Sequence, residues 1–496
     1  MINKVLVANR GEVAVRVLRT CRELGLETVA VFSEADREAP HVRYADAAYC
    51  IGPPPAEQSY LRGERLIRVA LESGAQAIHP GYRFLSESPD FARACDEAGL
   101  IFVGPRPETL QLLGSRTAAR RMVRRLRLPL LPGTDQALDD AGLLEAAGRV
   151  GYPVSLKAAG GKDERSICSA SSPDELQAAI PRARQEAQAA CGDDALLLER
   201  LVENVRHIEV QILGDHQGRV IHLGERECSI QRPNQKLIEE APSRALDGVL
   251  RRRVCRAAVR IGRAAGYIGA GAVEFLLDAE GNFYFLRLKP RLQVGHTVTE
   301  AITGIDIVKA QLRIAAGREL RYAQKDVLPR GWALECRILA HDPFNNFAPC
   351  VGHISRLREP GGPGIRVDSG VCEGLTVVPD YDPLLAKLVA WGETRGVAIV
   401  RMRRVLEEYQ IVGVTTNLEL HRALLDSHRF FGGQFHTRFL EEQFIPPSSE
   451  EEDYLAAALT AALLDWRRRA RGREGEARST SRWKMLGRWD LQGGSR

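Results

Sequence analysis

Residues 4–32, KVLVANRGEVAVRVLRTCRELGLETVAVF, run from an apolar stretch through helical spacing and back to an apolar stretch. Lys4–Asn9 reads as a strand, Arg10-Gly11-Glu12 as a turn, Val13–Leu24 as an amphipathic helix and Glu27–Phe32 as a second strand, the opening of a βαβ unit. The alternation continues with a helix at Ile67–Glu72 and strands at Ala77–Ile78 and Leu100–Val103. It predicts a parallel α/β sheet over roughly the first 110 residues, with ligands at the carboxyl ends of its strands.

Farther along, a Pro-rich entry at Leu128–Gly133 leads to a smaller unit with strands at Tyr152–Ala158 and Leu196–Glu199. From Val202 to about Phe444, strands at His207–Leu213, Val220–Gly224, Gly271–Leu277, Phe283–Leu288 and Leu334–Leu339 alternate with helices, as in a mixed α+β unit. We expect lobes at 1–114, 115–201 and 202–445, then a tail at 446–496 whose Glu451–Trp466 segment is helical. A chain of 496 residues, 44% hydrophobic, holds several folded domains and is neither disordered, fibrous nor a small binding module.

The start has neither a charged n-region nor a long apolar h-region, and no apolar stretch reaches the ~18 residues of a membrane span, so a cytoplasmic protein without a membrane role is expected. Ten scattered cysteines without a CxxC suggest small buried residues, not zinc ligands or disulfides. The net charge of +5 lies in the tail: Trp466–Arg496 has ten Lys and Arg against three acids, which leaves −2 for residues 1–465. With few aromatic residues and no binding motif beside that charge, a solvated or docking segment is expected before a nucleic-acid contact.

Seven short strings are too specific to follow from composition: Val7–Glu12, His79–Tyr82, Phe84–Glu87, Phe102–Pro105, Glu225–Arg232, Gln235-Lys236 and Glu335–Ile338. Together they resemble biotin carboxylase, the ATP-grasp subunit of acyl-CoA carboxylases, from Ile2 to about Leu440. The resemblance implies an α/β and α+β, three-lobed ATP-grasp fold whose small lobe is a lid over ATP. It also implies ATP- and Mg²⁺-dependent activation of bicarbonate and carboxyl transfer to biotin held on a separate carrier. Arg482-Trp483-Lys484-Met485 is not a biotin attachment motif, so biotin is not expected on this chain.

Carried over residue by residue, the resemblance places Arg116, Lys157, Glu199, His207 and Gln231 around the nucleotide. Lys236, Arg291 and Arg337 match cations that hold bicarbonate and the biotin enolate. Arg116 stands for a lysine, Asn234 for a histidine, and Arg83 occupies a place where glycine is usual. Glu274 matches one of the family's three metal ligands, but Arg287 and Lys289 stand at the other two, so the set changes from −2 to +1 and no metal is expected. Gly295 stands where the family has its base, and a glycine cannot accept a proton. As consecutive strand residues, Gly295 and His296 point to opposite faces, so His296 is not expected to substitute. In the lid, Lys162, Asp163 and Glu164 interrupt the family's glycine run, placing acids where a triphosphate would lie, although Lys162 and Arg165 could compensate.

Arg287, Lys289 and Arg291, spaced by two, would share one sheet face and repel one another unless an anion lies opposite or the strand is a solvated edge. Three functions stay open. The first is a catalytically impaired pseudoenzyme acting by association. The second is an active carboxylase with relocated ligands, using ATP and Mg²⁺, and the third a metal-independent anion or nucleotide sensor. Arg19, Glu23 and Arg366 match the family's dimer contact, with Pro363 at an aromatic position. Expected partners are therefore a second copy or an active biotin carboxylase, with the biotin carboxyl carrier protein and a carboxyltransferase in the same system.

Overall fold

The computed structural model describes residues 2–160, 168–232, 235–443 and 458–464. Strand β1 (Lys4–Val7) sits centrally in a five-stranded parallel sheet with β2 (Glu27–Phe32), β3 (Ala47–Cys50), β4 (Ala77–His79) and β5 (Ile101–Phe102), in the order β3-β2-β1-β4-β5. Its inner strands are buried on both faces, which is why they read as continuous apolar runs.

The expected turn at Arg10–Glu12 is instead the start of the helix, Gly11–Glu23, with Arg10 as its N-cap. Gly11 takes φ +65°, and Gly370 packs so closely that a Cβ there would fall on the Glu12 backbone nitrogen. The crevice between β1 and β4, where the strand order reverses, is closed: the buried Asn9 amide donates to the carbonyls of Pro80 (2.7 Å) and Tyr82 (2.8 Å). The loop after β4 instead carries Glu87 toward the second, larger sheet.

The smaller unit is a three-stranded antiparallel sheet, in which β6 (Val154–Ala158) lies between β7 (Cys168–Ala170) and β8 (Leu196–Arg200), backed by helices Asp140–Val150 and Pro173–Cys191. The largest sheet has eight antiparallel strands. From its edge run β13 (Phe283–Lys289), β12 (Gly269–Leu277), β9 (Arg206–Gly214), β10 (Val220–Arg232), β11 (Gln235–Ala241) and β14 (Trp332–Leu339), followed by Leu384–Gly392 and Ile365–Ser369.

Strand β10 runs eight residues past its expected end at Gly224, because that glycine (φ +91°) forms a bulge between His222 and Glu225 and pairing then resumes. Five of the nine described cysteines are buried as expected, but Cys50 is exposed. Within the expected tail helix, 458–464 is helical and exposed, and the remainder lies outside the described residues. Among the described residues no helix is long and apolar enough to cross a membrane.

Burial pushes His41, His79 and His421 down to about 4. Unfolded histidine takes its proton near pH 6.5, so the unfolded chain binds more protons between these limits and stability falls as pH is lowered through them. Burial also lifts the Glu12 and Glu335 carboxyls to about 7, which acts in the opposite sense but through fewer groups. The urea midpoint is expected to be lower at about pH 5 than at about pH 7.5, and an equal or higher value at the acid end would contradict this assignment.

Candidate functional site

The lid sheet faces the β13 edge of the large sheet across a cavity of about 550 Å³. On β6, Val154, Leu156 and Ala158 enter the lid's own core, so alternation turns Ser155 and Lys157 toward the cavity. The Lys157 ammonium donates to Glu199 on β8, which also accepts from Arg120. Burial would raise the Glu199 carboxyl, but Lys157, Arg120 and Arg116 outweigh it and hold the group at about 2. Arg116, at the start of helix Arg116–Arg125, lines the cavity together with His207 and Gln231, whereas Glu199 is held behind Lys157.

On β9, Ile208, Val210 and Ile212 pack into the core, which leaves His207, Glu209 and Gln211 on the opposite face. His207 Nδ1 is 3.4 Å from Gln231 Oε1, and its Nε2 is 3.4 Å from Glu274 Oε2. Glu274 on β12 lies in register between Glu209 on one side and Arg287 on the other. Arg287 Nε donates to Glu274 Oε2 at 2.5 Å. The Lys236 ammonium donates to Glu209 and lies 3.5 Å from Glu274 Oε1, while Arg226 Nη2 donates to Glu209 Oε2 at 2.8 Å. Burial opposes the charge on both carboxylates, yet these cations hold both well below the usual carboxylate range.

The row of three cations is settled by carboxylates. Strand β13 is indeed an edge, but its cations face protein. Arg287 meets Glu274, and Arg291 Nε donates to Glu87 at 2.7 Å. Lys289 Nζ lies 3.9 Å from the same Glu87. Arg291 itself lies past Pro290, beyond the strand end. Burial, then Arg287, pulls the Lys289 ammonium down to about 8.

Gly295 and His296 are not strand neighbours, which corrects the expectation. Gly295 is the N-cap of helix His296–Thr303, and His296 is fully buried with its Nδ1 2.8 Å from the Gln293 carbonyl, so it stays inward for a different reason. A Cβ at Gly295 would fall inside the Glu239 carboxylate. Glu239 accepts from Arg337, whose Nε is also 3.7 Å from Glu335 Oε1.

Lys157, Arg116, His207, Gln231, Arg287 and Lys289 thus meet in one cavity, and Lys236, Glu274, Arg291 and Arg337 form ion pairs on the adjoining sheet face. Sequence reasoning did not assign roles to Glu87, Arg120, Glu209 or Glu239. The alternation of His207, Glu209 and Gln211 against three apolar residues was the available signal for one of them. The expectations for Lys162, Asp163, Glu164, Arg165 and Asn234 lie outside the described residues.

A small antiparallel sheet set over a large antiparallel sheet, with a cationic cavity between, defines an ATP-grasp protein. Family descriptions match in succession: biotin carboxylase N-terminal domain at residues 1–110, carbamoyl-phosphate synthase L chain ATP-binding domain at 115–323, and biotin carboxylase C-terminal domain at 335–442. The chain belongs to the biotin carboxylase family. Biotin carboxylase 1 of Bacillus subtilis is 46% identical over 443 residues, 89% of this chain and 98% of that one. The 2-oxoglutarate carboxylase small subunit of Hydrogenobacter thermophilus is 47% identical over 443 residues, 89% of this chain and 94% of its own. The biotin carboxylase domain dimer of the Hydrogenobacter thermophilus enzyme, solved with MgADP, ADP and bicarbonate, superposes with a TM-score of 0.87 at 47% identity, covering 89% of this chain and 98% of that one.

The magnesium ion that the family implies can be tested against these residues. Among the described residues, His207, Glu209 and Glu274 bring ligand atoms within 4.8 Å of one another. Both carboxylates already carry cations, Lys236 and Arg226 on Glu209 and Arg287 and Lys236 on Glu274. A divalent cation would enter against this fixed positive charge, with Arg287 and Lys289 in place of hard oxygen donors, so the set as it stands does not fit it.

Proposed function

We propose that this chain is a biotin carboxylase-family subunit of a carboxylase system in which the metal-dependent step is impaired and the anion-binding frame is kept. The observation that carries this reading is the Arg287 guanidinium seated on Glu274, with Lys289 beside it. Gly295 adds to it, because the position opposite Arg337 has no side chain to take a proton. In this reading Arg116, Lys157, Glu199, His207 and Gln231 surround a nucleotide, and Lys236, Arg291 and Arg337 keep the charge that would hold bicarbonate and carrier-borne biotin. The five-, three- and eight-stranded sheets fall within 1–114, 115–201 and 202–445 in turn, which supports lobes with those bounds.

Association would be with a second copy or an active biotin carboxylase, alongside carrier and carboxyltransferase. The dimeric solved neighbour and a relative named a small subunit support this. Arg19, Glu23 and Pro363 are exposed, whereas Arg366 is tied to Glu300 (2.7 Å) and Asp368.

The relatives' names favour a second reading, an active ATP- and bicarbonate-dependent biotin carboxylase, better than they favour the first. It would need His207, Glu209 and Glu274, whose ligand atoms lie within 4.8 Å of one another, to take a metal after the cations on the two carboxylates are displaced. The deciding experiment is ADP release dependent on bicarbonate and biotin, with ATP and Mg²⁺, measured beside the Bacillus subtilis relative. Loss of a base and of metal assistance predicts a rate at least ~10³-fold lower. A rate within tenfold of the relative would overturn the first reading and establish the second.

A further inference from the structure

The cavity between lid and sheet has two chemically distinct parts. Leu131, Leu201, Val202, Leu276 and Leu286 form an apolar part fit for a flat base. The other part is strongly cationic: among the described residues Arg116, Lys157, Arg200, Arg287, Lys289 and Arg438 line it against Glu87 and Glu203. Lys157 and Arg287 are each held by a carboxylate, so their charges are fixed in place before any ligand arrives.

Lys289 differs from them. Its side chain is 13% exposed and its ammonium lies 3.9 Å from a Glu87 carboxylate oxygen that already accepts from Arg291 at 2.7 Å. A buried ammonium with so distant a counter-charge is stabilised by an anion entering the cavity.

We infer that this cavity binds a nucleoside di- or triphosphate in its metal-free form, with Arg287 and Lys289 serving as resident cations in the place of a divalent metal. The inference rests on the impaired reading above and names the ligand form that reading leaves open. A metal-free nucleotide carries two more negative charges than its Mg²⁺ complex, and the site has gained three positive charges relative to two glutamates and an asparagine, so the charge balance selects the uncomplexed nucleotide. Excess Mg²⁺ therefore competes with the protein for the phosphates, the reverse of its usual effect in such a site.

The test is calorimetric titration of the full-length protein with ADP, once in EDTA and once in millimolar Mg²⁺. Kd is expected to be at least ~10-fold lower in EDTA. The variant Arg287→Glu/Lys289→Asn is expected to reverse that order. If circular dichroism shows that the double variant does not fold, Lys289→Met serves instead, and is expected to weaken ADP binding in EDTA about tenfold. Binding that requires Mg²⁺, or no binding in either condition, overturns the inference. If turnover is also absent, the impaired reading stands without it; if turnover is fast, both fall.

Discussion

Replacing Lys387 by methionine is expected to destabilise the protein by about 3 kcal/mol or more, read as a fall in the urea midpoint at constant slope. Lys387 is fully buried on the strand Leu384–Gly392, directly in register with Asp368 on one side and Arg337 on the other. Its ammonium donates to the Val294 carbonyl at 3.3 Å and lies 3.6 Å from Asp368 Oδ2. The Asp368 carboxylate, buried but held well below the usual carboxylate range by Lys387 and Arg366, keeps Arg366 and a weaker attraction to Arg16 in the variant. Methionine fills the volume but supplies no charge, so the cost is a buried anion that has lost one of its counter-charges and not a cavity. Removing the anion as well, in Lys387→Met/Asp368→Asn, is expected to recover part of the loss, because the penalty belongs to the unpaired charge. A single variant within about 1 kcal/mol of the parent would show that the Lys387 charge contributes little.

The second large effect concerns turnover. The triple variant Arg287→Glu/Lys289→Asn/Gly295→Glu is expected to raise Mg²⁺-dependent ADP release at least ~100-fold above the parent, since both a metal site and a base contribute at that scale or more. Gly295→Glu alone is expected to leave the rate near the parent's, because Arg287 still occupies Glu274. Nor is the space at residue 295 empty: the new side chain must displace the Glu239 carboxylate, which shares Arg337 with Glu335. The gain is therefore expected to be non-additive, appearing only when the cations and the base are changed together. A single Gly295→Glu that matches the triple variant would show that the resident cations are not what limits the reaction.

The impaired reading and the family's chemistry meet at this test. The chain shares 44–47% identity with the curated relatives and folds as they do, so the expectation from kinship alone is activity. The expectation from the site is different because the altered residues lie together, and their charges act on one another within a few ångströms. Global identity averages over the chain, whereas the chemistry depends on local charge.

How much was legible can be seen residue by residue. The βαβ opening was readable because β1 and β2 are buried on both faces and the helix between them is apolar at its own period. Strands β11 and Leu384–Gly392 were not recognised. They bury Glu239, Glu240 and Lys387 and half-bury Lys236, and a buried ion pair looks in sequence like a solvated surface. The end of β10 was misplaced because a glycine bulge looks like a turn until the partner strand shows the pairing resume.

The amino-acid sequence by itself determined the parallel sheet, the three-lobed fold class and the residues that depart from the family's chemistry, since these depend on local periodicity and on residue identity. Only the tertiary structure decided where the departures lead. The pairing of Arg287 with Glu274, of Arg291 with Glu87, and the Glu239 carboxylate beside Gly295 join residues on different elements, and a buried charge takes whatever counter-charge the fold brings within reach.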